Sequence, residues 1–182
     1  TVTKYADSHY QIKKSKEIIN KYLGVTPLGY RAPQGVIKEE DLDILVKSNY
    51  KFSSSIFPSY RFKKFNNLKL PIMPFNWKNG LIEIPLAVIP HIRLIYSLSY
   101  IKLLGLEFYK FLTSILKLSN IVIIDTHLHD IIYSEESFEK LKGVPRLAWS
   151  IRKKIGQDYL KGIITTLKKD GYTFISITEL YN

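Results

Sequence analysis

The sequence predicts an α/β fold, in a layered or a barrel form, built by one domain over residues 1–182. Segments with helical periodicity alternate with short apolar segments that are typical of strands. The chain of 182 residues is 46% hydrophobic and 13% aromatic, which suits one domain with a sizeable core. It contains no repeat, low-complexity tract or obvious linker. These three observations together favour a single α/β unit.

The first half of the chain is predicted to run helix, strand, helix, strand and then loop. Isoleucines recur among lysines with a helical period until Gly24, where the first helix ends. Acidic residues at the N-terminal end of the second helix suit its dipole. The predicted elements are a helix over 8–23, a short strand entering Tyr30 and Arg31, a helix over 38–49, a strand over 50–52 that runs into serines 53–55, and a loop over 58–80.

The second half is predicted to alternate strands and helices again. Four branched aliphatic residues in succession before Asp125 are typical of a strand buried in a parallel sheet. Gly171 ends the last long helix. The predicted elements are a strand over 81–86, a helix over 103–118, a strand over 120–125, a helix over 158–169, a final strand over 172–176 and a terminal turn over 178–180.

Composition excludes some kinds of site and leaves the class of partner open. The formal net charge of +11 favours acidic partners of some kind. Cysteine is absent, which excludes disulfides and thiolate metal sites. No apolar run reaches the ~18 residues of a membrane span. The basic and aromatic stretch over 60–65 has no nucleic-acid motif beside it, which favours a solvated loop or an edge strand. Neither compartment nor oligomeric state follows from the sequence.

An arginine lies where a predicted strand ends in a rigid turn. Arg31 follows Tyr30 and precedes Ala32 and Pro33, and a proline keeps the residue before it extended. Gly35 lets the turn close. A guanidinium held at the end of a strand is well placed to orient a carboxylate or an oxyanion. Arg31 is therefore a candidate site residue.

Two of the four histidines follow the strand predicted over 120–125. If that strand continues, Asp125, His127 and His129 share one face and can hold a divalent metal through two imidazoles and a carboxylate. If it ends near Thr126, His127 alone projects into the site and acts as a general acid or base. The residues leave both alternatives open.

Three further polar residues are weaker candidates. Glu83 lies in an apolar run, where an unpaired carboxylate is costly, so it either pairs with an arginine or histidine of the site or faces solvent. His9 lies on a lysine-rich helix, which indicates a surface residue. His91 follows a proline beside Arg93, and its sequence context fits a residue of the site and a surface residue equally.

Taken in chain order, these segments resemble the polysaccharide deacetylase family, the NodB-like carbohydrate esterases. The order of the segments along almost the whole chain supports the resemblance more than any single segment does. The similar segments are Ser15 to Ile19, Gly24, Pro27, Tyr30-Arg31-Ala32-Pro33-Gln34-Gly35, Tyr50 to Pro58, Gly80 to Pro85, Thr126-His127 and Gly171 to Ser176.

The resemblance implies a distorted (β/α) barrel that removes N- or O-acetyl groups from glycans with a divalent metal, for which zinc is expected. Arg31 with Pro33 matches the family's arginine motif, in which the arginine orients an aspartate base. His127 matches the late histidine that protonates the leaving amine. Tyr30, Pro33 and Trp77 are the candidate substrate-binding residues, and an acetylated glycan is the expected partner.

The chain departs from the family pattern at two places. The family has His-Pro-Trp-Glu where this chain has His127, Leu128, His129 and Asp130, which weakens a role for Asp130. The family's aspartate motif and its His-x-x-x-His metal motif are expected before Thr1 and do not occur in the chain. We therefore expect the C-terminal part of a truncated deacetylase barrel, inactive unless the missing motifs are supplied.

Two other functions remain as alternatives. One is a different metallohydrolase built on Asp125, His127 and His129, whose spacing is similar to the strand-borne metal motif of amidohydrolase-type barrels. The other is a non-catalytic module that binds glycan or nucleic acid through its basic and aromatic surface.

Overall fold

The fold combines small sheets with helices of four to sixteen residues. A computed structural model describes residues 8–152 and 156–181. The helices are α1 (Ser8–Leu23), α2 (Glu39–Lys47), α3 (Leu98–Leu104), α4 (Leu106–Ile115), α5 (Leu128–Ile131), α6 (Glu135–Lys140), α7 (Val144–Ile151), α8 (Gly156–Lys169) and α9 (Ile177–Tyr181), with a 3-10 turn at Pro33–Gly35. The strands are β1 (Gly29–Tyr30), β2 (Phe52–Ser53), β3 (Tyr60–Arg61), β4 (Phe65–Asn66), β5 (Phe75–Asn76), β6 (Ile82–Glu83), β7 (Val88–Ile89) and β8 (Leu94–Ile95).

The main sheet has the order β1-β2-β6-β5. The first three strands are parallel, and β5 is antiparallel to β6. Beyond the strands, the backbone keeps pairing: the N–H of Leu86 donates to the carbonyl of Ile56 at 2.8 Å, and that of Ala87 donates to the carbonyl of Ile123 at 2.8 Å. A parallel bridge joins Ser97 to Asp125. The carboxyl ends of these segments therefore lie on one edge.

Within residues 8–152 and 156–181 the sheets do not close into a barrel. The two smaller sheets are the antiparallel hairpins β3-β4 and β7-β8. The distorted barrel that the resemblance implies stays a prediction, as does the single-domain organisation.

The absence of a side chain at Gly29 allows β1 to approach β2. A Cβ atom at this position would collide with the ring of Phe52, its register partner. Any larger residue would therefore push the two strands apart, and Arg31 would move with β1.

Three apolar clusters hold the elements together. The largest packs α3, α4 and α8 around Leu98, Ile101, Tyr109 and Ile163, all at most 1% exposed. A second joins α1, α2 and the start of β6, and a third lies beneath the hairpin β7-β8. Since truncating such a leucine or isoleucine to alanine costs ~2–5 kcal/mol, the helices fix the sheet edge rigidly.

The first predicted helix, 8–23, is confirmed, and several other bounds change. The predicted helices 38–49 and 158–169 are observed as α2 and α8, and the terminal turn is the short helix α9. The predicted strands 50–52 and 81–86 contract to β2 and β6. The single helix predicted over 103–118 is wrong, because Gly105, with φ of 103°, separates α3 from α4. The predicted loop 58–80 contains β3, β4 and β5.

Two predicted strands are wrong as regular elements. Residues 120 and 121 bend, only Asp125 forms a bridge, and the side chains of 121–124 are half-buried rather than buried. Residues 172–176 form no strand either, and Phe174 and Ile175 are exposed. Apolar sequence favours strand, but a strand also needs a neighbour to pair with.

No helix among the described residues has both the length and the apolar character that crossing a bilayer requires.

Candidate functional site

The candidate site lies at the carboxyl edge of the parallel segments. Arg31 directly follows β1, Ser54 directly follows β2, and Asp125 ends the extended segment that pairs beside Ser97. His127 comes two residues later, at the start of α5. Polar groups from segments remote in sequence therefore meet where parallel strands end, which is where α/β proteins commonly place their chemistry.

The guanidinium of Arg31 is held by the turn after β2. Its Nε donates to the carbonyl of Ser54 at 2.8 Å, and its Nη2 donates to the Ser54 hydroxyl at 2.9 Å. The N–H of Ala32 donates to Oγ of Ser55 at 2.9 Å. Desolvation lowers the pKa of Arg31, and the carboxylates of Asp125 and Glu83 oppose that effect. Arg31 stays charged.

Glu83 is a fully buried carboxylate that braces the same turn. Its Oε1 accepts the N–H groups of Ser55 at 2.7 Å and Ile56 at 2.9 Å. Its Oε2 accepts from Nε1 of Trp77 at 3.3 Å. The solvent-facing alternative for Glu83 is wrong, because the residue is fully buried. Its hydrogen bonds go to backbone and indole rather than to a basic side chain, and it acts on Arg31 through its charge. Through this turn, Glu83 positions the residues that hold Arg31.

His127 is flanked by two carboxylates. Its Nδ1 lies 3.7 Å from Oδ2 of Asp125 and 3.6 Å from Oδ2 of Asp130. The hydrogen bond to Asp130 raises the pKa of His127, and burial and the nearby Arg31 charge oppose that rise. With its Nδ1 edge turned toward carboxylates and its side chain 54% exposed, His127 can present Nε2 to a ligand.

Asp130 lies among His127, His129 and Ser99. Its departure from the family pattern had made it a weak candidate. It is fully buried, and it accepts from the hydroxyl of Ser99 at 2.6 Å and from the N–H of His127 at 3.1 Å. Burial opposes ionisation of Asp130, but the hydrogen bonds from His127 and Ser99 outweigh burial and lower its pKa. The sequence did contain a signal for the role of Asp130, namely its position three residues after His127. An acid at this spacing from the residue that precedes a helix accepts the backbone N–H of that residue.

His129 stacks on His127, with ring centroids 4.9 Å apart and planes inclined by 16°. Burial lowers the pKa of His129. Its Nε2 is buried and, within the part of the chain that the structure describes, has no hydrogen-bond partner; the same holds for Nε1 of Trp149. A neutral imidazole thus packs behind His127.

The two predictions for the histidine segment assumed either that the strand continues to His129 or that it ends near Thr126. Regular pairing ends at Asp125 and α5 begins at Leu128, so the premise that Asp125, His127 and His129 share one face of a continued strand is wrong. The other premise, that the strand ends near Thr126, agrees with the structure. His127 projects at the strand end, as that reading requires.

His127, His129 and Asp130 are the one group of metal-ligating side chains found together among the described residues, with donor atoms within 4.8 Å of one another. As placed, they do not fit one ion. An ion must lie in the plane of each ligating ring, and stacked rings aim their in-plane lone pairs along different lines. No chemical step is therefore assigned to a metal on these residues.

The candidate substrate-binding residues have different surroundings. Tyr30 is half-buried against Tyr50, with centroids 5.7 Å apart. Trp77 is half-buried against Phe75, at 5.0 Å. Pro33 is exposed at the start of the 3-10 turn, beside Arg31. Of the three, Pro33 is the most accessible to a ligand, and the role of all three stays a prediction.

The remaining two histidines lie outside this cluster. His9 is exposed on α1, as expected. His91 is exposed in the tight turn between β7 and β8, with φ of 63°.

Comparisons of the chain with protein-family models, with curated proteins and with solved structures find no match. The resemblance to polysaccharide deacetylases thus depends on the motifs alone.

Proposed function

We propose that this chain supplies the arginine and the proton donor of a polysaccharide deacetylase-like hydrolase, which cleaves the carbon–nitrogen bond of acetylated sugars. The observation that supports this most is that Arg31 and His127 both interact with Asp125. The Asp125 charge opposes the lowering of the pKa of Arg31 and contributes to raising that of His127, and Arg31 in turn acts on His127. Two segments almost a hundred residues apart thus share one electrostatic site.

His127 has the properties that a general acid needs. A leaving amine must receive a proton as the carbon–nitrogen bond breaks, and the donor must be protonated near neutral pH. The carboxylate of Asp130 favours the imidazolium and orients the ring, as carboxylates do for catalytic histidines elsewhere. The exposed Nε2 is the atom from which the proton leaves.

Arg31 has the properties of a group that orients a carboxylate or an oxyanion. Two of its donors are fixed by Ser54, so the guanidinium cannot swing freely. Its remaining N–H groups are available for a planar, bidentate partner. In the proposed site that partner is the catalytic base, which the resemblance places on a motif that this chain lacks.

In this proposal, residues 1–182 therefore supply neither the metal ligands nor the catalytic base of the family. The four histidines are at positions 9, 91, 127 and 129, and none forms a His-x-x-x-His pair. In the family the bound metal polarises the acetyl carbonyl and activates water. Residues of this chain bind the sugar, orient the carboxylate and return the proton.

Ligand titration followed by NMR tests the proposal without requiring turnover. Tetra-N-acetyl-chitotetraose is expected to shift the side-chain signals of Arg31 Nε and the His127 ring saturably. The shift of the His127 ring should vanish in Arg31→Ala, and both shifts should persist in the matched control Lys47→Ala, at the far end of α2. Shifts confined to other regions, or equal shifts with fully deacetylated chitotetraose, would overturn the proposal.

Acetate release provides the second measurement. The chain alone, with or without added Zn²⁺, is expected to release no acetate from the same oligomer. Robust turnover by residues 1–182 alone would refute the division of the site between this chain and the missing motifs.

One observation favours the metallohydrolase alternative, namely the closeness of His127, His129 and Asp130. That function needs the two imidazoles to unstack, and a metal titration described below distinguishes the two functions.

A further inference from the structure

A second feature, separate from Arg31 and His127, lies between two segments that form no regular strand. They enclose a groove of about 1000 Å³ between the end of α4, residues 118–123 and residues 169–177. We refer to it as the C-terminal groove. Its walls include Val122 and Thr173, and Lys117 and Lys169 lie on its rim.

One wall of the groove is a free sheet edge. The carbonyls of Ile123 and Asp125 accept backbone N–H groups from Ala87 and Leu98, so these residues face the sheet. Backbone direction alternates along an extended chain, so the groups of Val122 point the other way, into the groove. Within residues 8–152 and 156–181, the N–H and carbonyl of Val122 have no hydrogen-bond partner.

The opposite wall also has unpaired backbone. Tyr172 anchors it, because its hydroxyl donates to the carbonyls of Leu118 and Ser119 at 3.2 and 2.9 Å. The backbone groups of Thr173, Phe174 and Ile175 have no partner among the described residues. Phe174 and Ile175 are 55% and 56% exposed.

We propose that the C-terminal groove binds an extended, acidic polypeptide strand from a partner protein, which pairs with the backbone of Val122 and of residues 173–175. An unpaired edge with apolar side chains is a template for one more strand. A strand inserted here would satisfy both walls and cover the apolar side chains.

The lysines at the groove favour an acidic peptide as its occupant. The charged residues that line the groove are Lys110, Lys117, Lys169 and Asp170. Lys110 pairs with Glu107 at 2.7 Å, whereas Lys117 and Lys169 form no ion pair among the described residues, so two lysines face one acid and the lining keeps a positive balance. The free lysines favour carboxylates at the ends of the bound strand. A second copy of this chain is disfavoured, because each copy has a net charge of +11.

The test uses a synthetic peptide of about seven residues, in which valine and threonine alternate between terminal glutamates, long enough to cover the groove at ~3.3 Å per residue. Two matched peptides serve as controls. One is methylated on alternate backbone nitrogens, which removes the donors of one edge, and the other ends in lysines. The glutamate peptide should bind at least about tenfold more tightly than either, the equivalent of ~1.4 kcal/mol.

Protein variants and hydrogen exchange locate the binding. The double change Lys117→Glu and Lys169→Glu should weaken binding of the glutamate peptide, and the control change Lys47→Glu with Lys78→Glu, outside the groove, should weaken it less. The amides of Val122 and 173–175 should gain protection from exchange when the peptide binds. Circular dichroism melts verify that each variant folds.

Three results would overturn the proposal. The first is equal binding of the methylated and unmethylated peptides, and the second is binding of none of them at millimolar concentration. The third is protection of Val122 in the protein alone as its concentration rises, which would identify a second copy as the occupant.

Discussion

Asp130 lies against the inner edge of His127: its Oδ2 is 3.6 Å from the imidazole Nδ1 and accepts the backbone N–H of the same residue at 3.1 Å. One carboxylate thus fixes both the backbone and the ring of the proposed proton donor. Because the acid is buried and the ring is half-exposed, Asp130 stabilises the imidazolium from the Nδ1 side and leaves the opposite side of the ring to a ligand.

Replacing Asp130 with asparagine should lower the pKa of His127. The amide oxygen can still accept the N–H of His127, the amide nitrogen can donate to the Ser99 hydroxyl, and the charge that favours the imidazolium is removed. A pH titration of the His127 ring by NMR measures the change. Asp158→Asn, an exposed acid on α8, is the matched control, and a His127 pKa that stays unchanged in Asp130→Asn would contradict the assigned cause.

The same pair predicts how stability depends on pH. The folded-state pKa of His127 lies above its ordinary 6.5, so its stabilisation is complete below that pH and is lost as pH rises through the folded-state pKa. The pKa of Asp130 lies below its ordinary 3.8, so its stabilisation is present above that pH and is lost as pH falls through the folded-state pKa.

The difference in unfolding free energy between wild type and Asp130→Asn should therefore be largest between these two ordinary values. It should narrow as pH rises beyond the folded-state pKa of His127. Urea denaturation over that pH range measures it, and a difference that widens above neutral pH would be inconsistent with the linkage.

The sequence predicted the positions of Arg31 and His127 better than it predicted how they are held. Proline chemistry and the strand end were sufficient to place Arg31 in a rigid turn. The acceptors on Ser54 and the buried charge of Asp130 come from tertiary packing, which periodicity does not reveal. His129 illustrates the limit: alternation suggested a shared strand face, and the helix start at Leu128 turned the ring onto His127 instead.

Removing the Glu83 carboxylate should destabilise the protein markedly. Glu83→Ala leaves the N–H groups of Ser55 and Ile56 buried without acceptors, and each such loss costs ~1–3 kcal/mol. Glu83→Gln keeps a carbonyl acceptor and should cost less. Urea denaturation measures both changes, with Glu40→Ala, exposed at the start of α2, as the control; equal stability of Glu83→Ala and wild type would disprove the bracing role.

Zn²⁺ should bind this chain weakly, and replacing His129 with alanine should leave that binding unchanged. The reason is the stacking of the two rings, which directs their in-plane lone pairs along different lines. Isothermal titration calorimetry of wild type and His129→Ala measures the affinity. Tight binding that His129→Ala abolishes would favour the metallohydrolase alternative over the deacetylase proposal.

The fold shows where local sequence signals suffice. Helix α1 has the predicted bounds because its apolar period and Gly24 are both local. The apolar residues before Asp125 and after Tyr172 predicted strands, yet the first segment pairs on one side only and the second has no pairing neighbour among the described residues. Pairing is a property of two segments, so single-sequence patterns overestimate it at a free edge.

Gly29→Ala should displace Arg31 although it adds only one methyl group. The new Cβ meets the Phe52 ring, and overpacking of this kind costs ~1–3 kcal/mol. Strand β1 would then move off β2, lengthening the hydrogen bonds from Arg31 to Ser54. The signal of Arg31 Nε should shift, and the unfolding free energy should fall.

A double-mutant cycle with Phe52→Leu isolates this collision from other effects of the methyl group. The shorter side chain makes room for the Cβ, so Gly29→Ala should cost less in the Phe52→Leu background than in wild type. The Arg31 Nε signal should likewise shift less in that background. Additive costs would show that the ring does not limit the approach of β1, and the position of Arg31 would then have to depend on the turn after β2 alone.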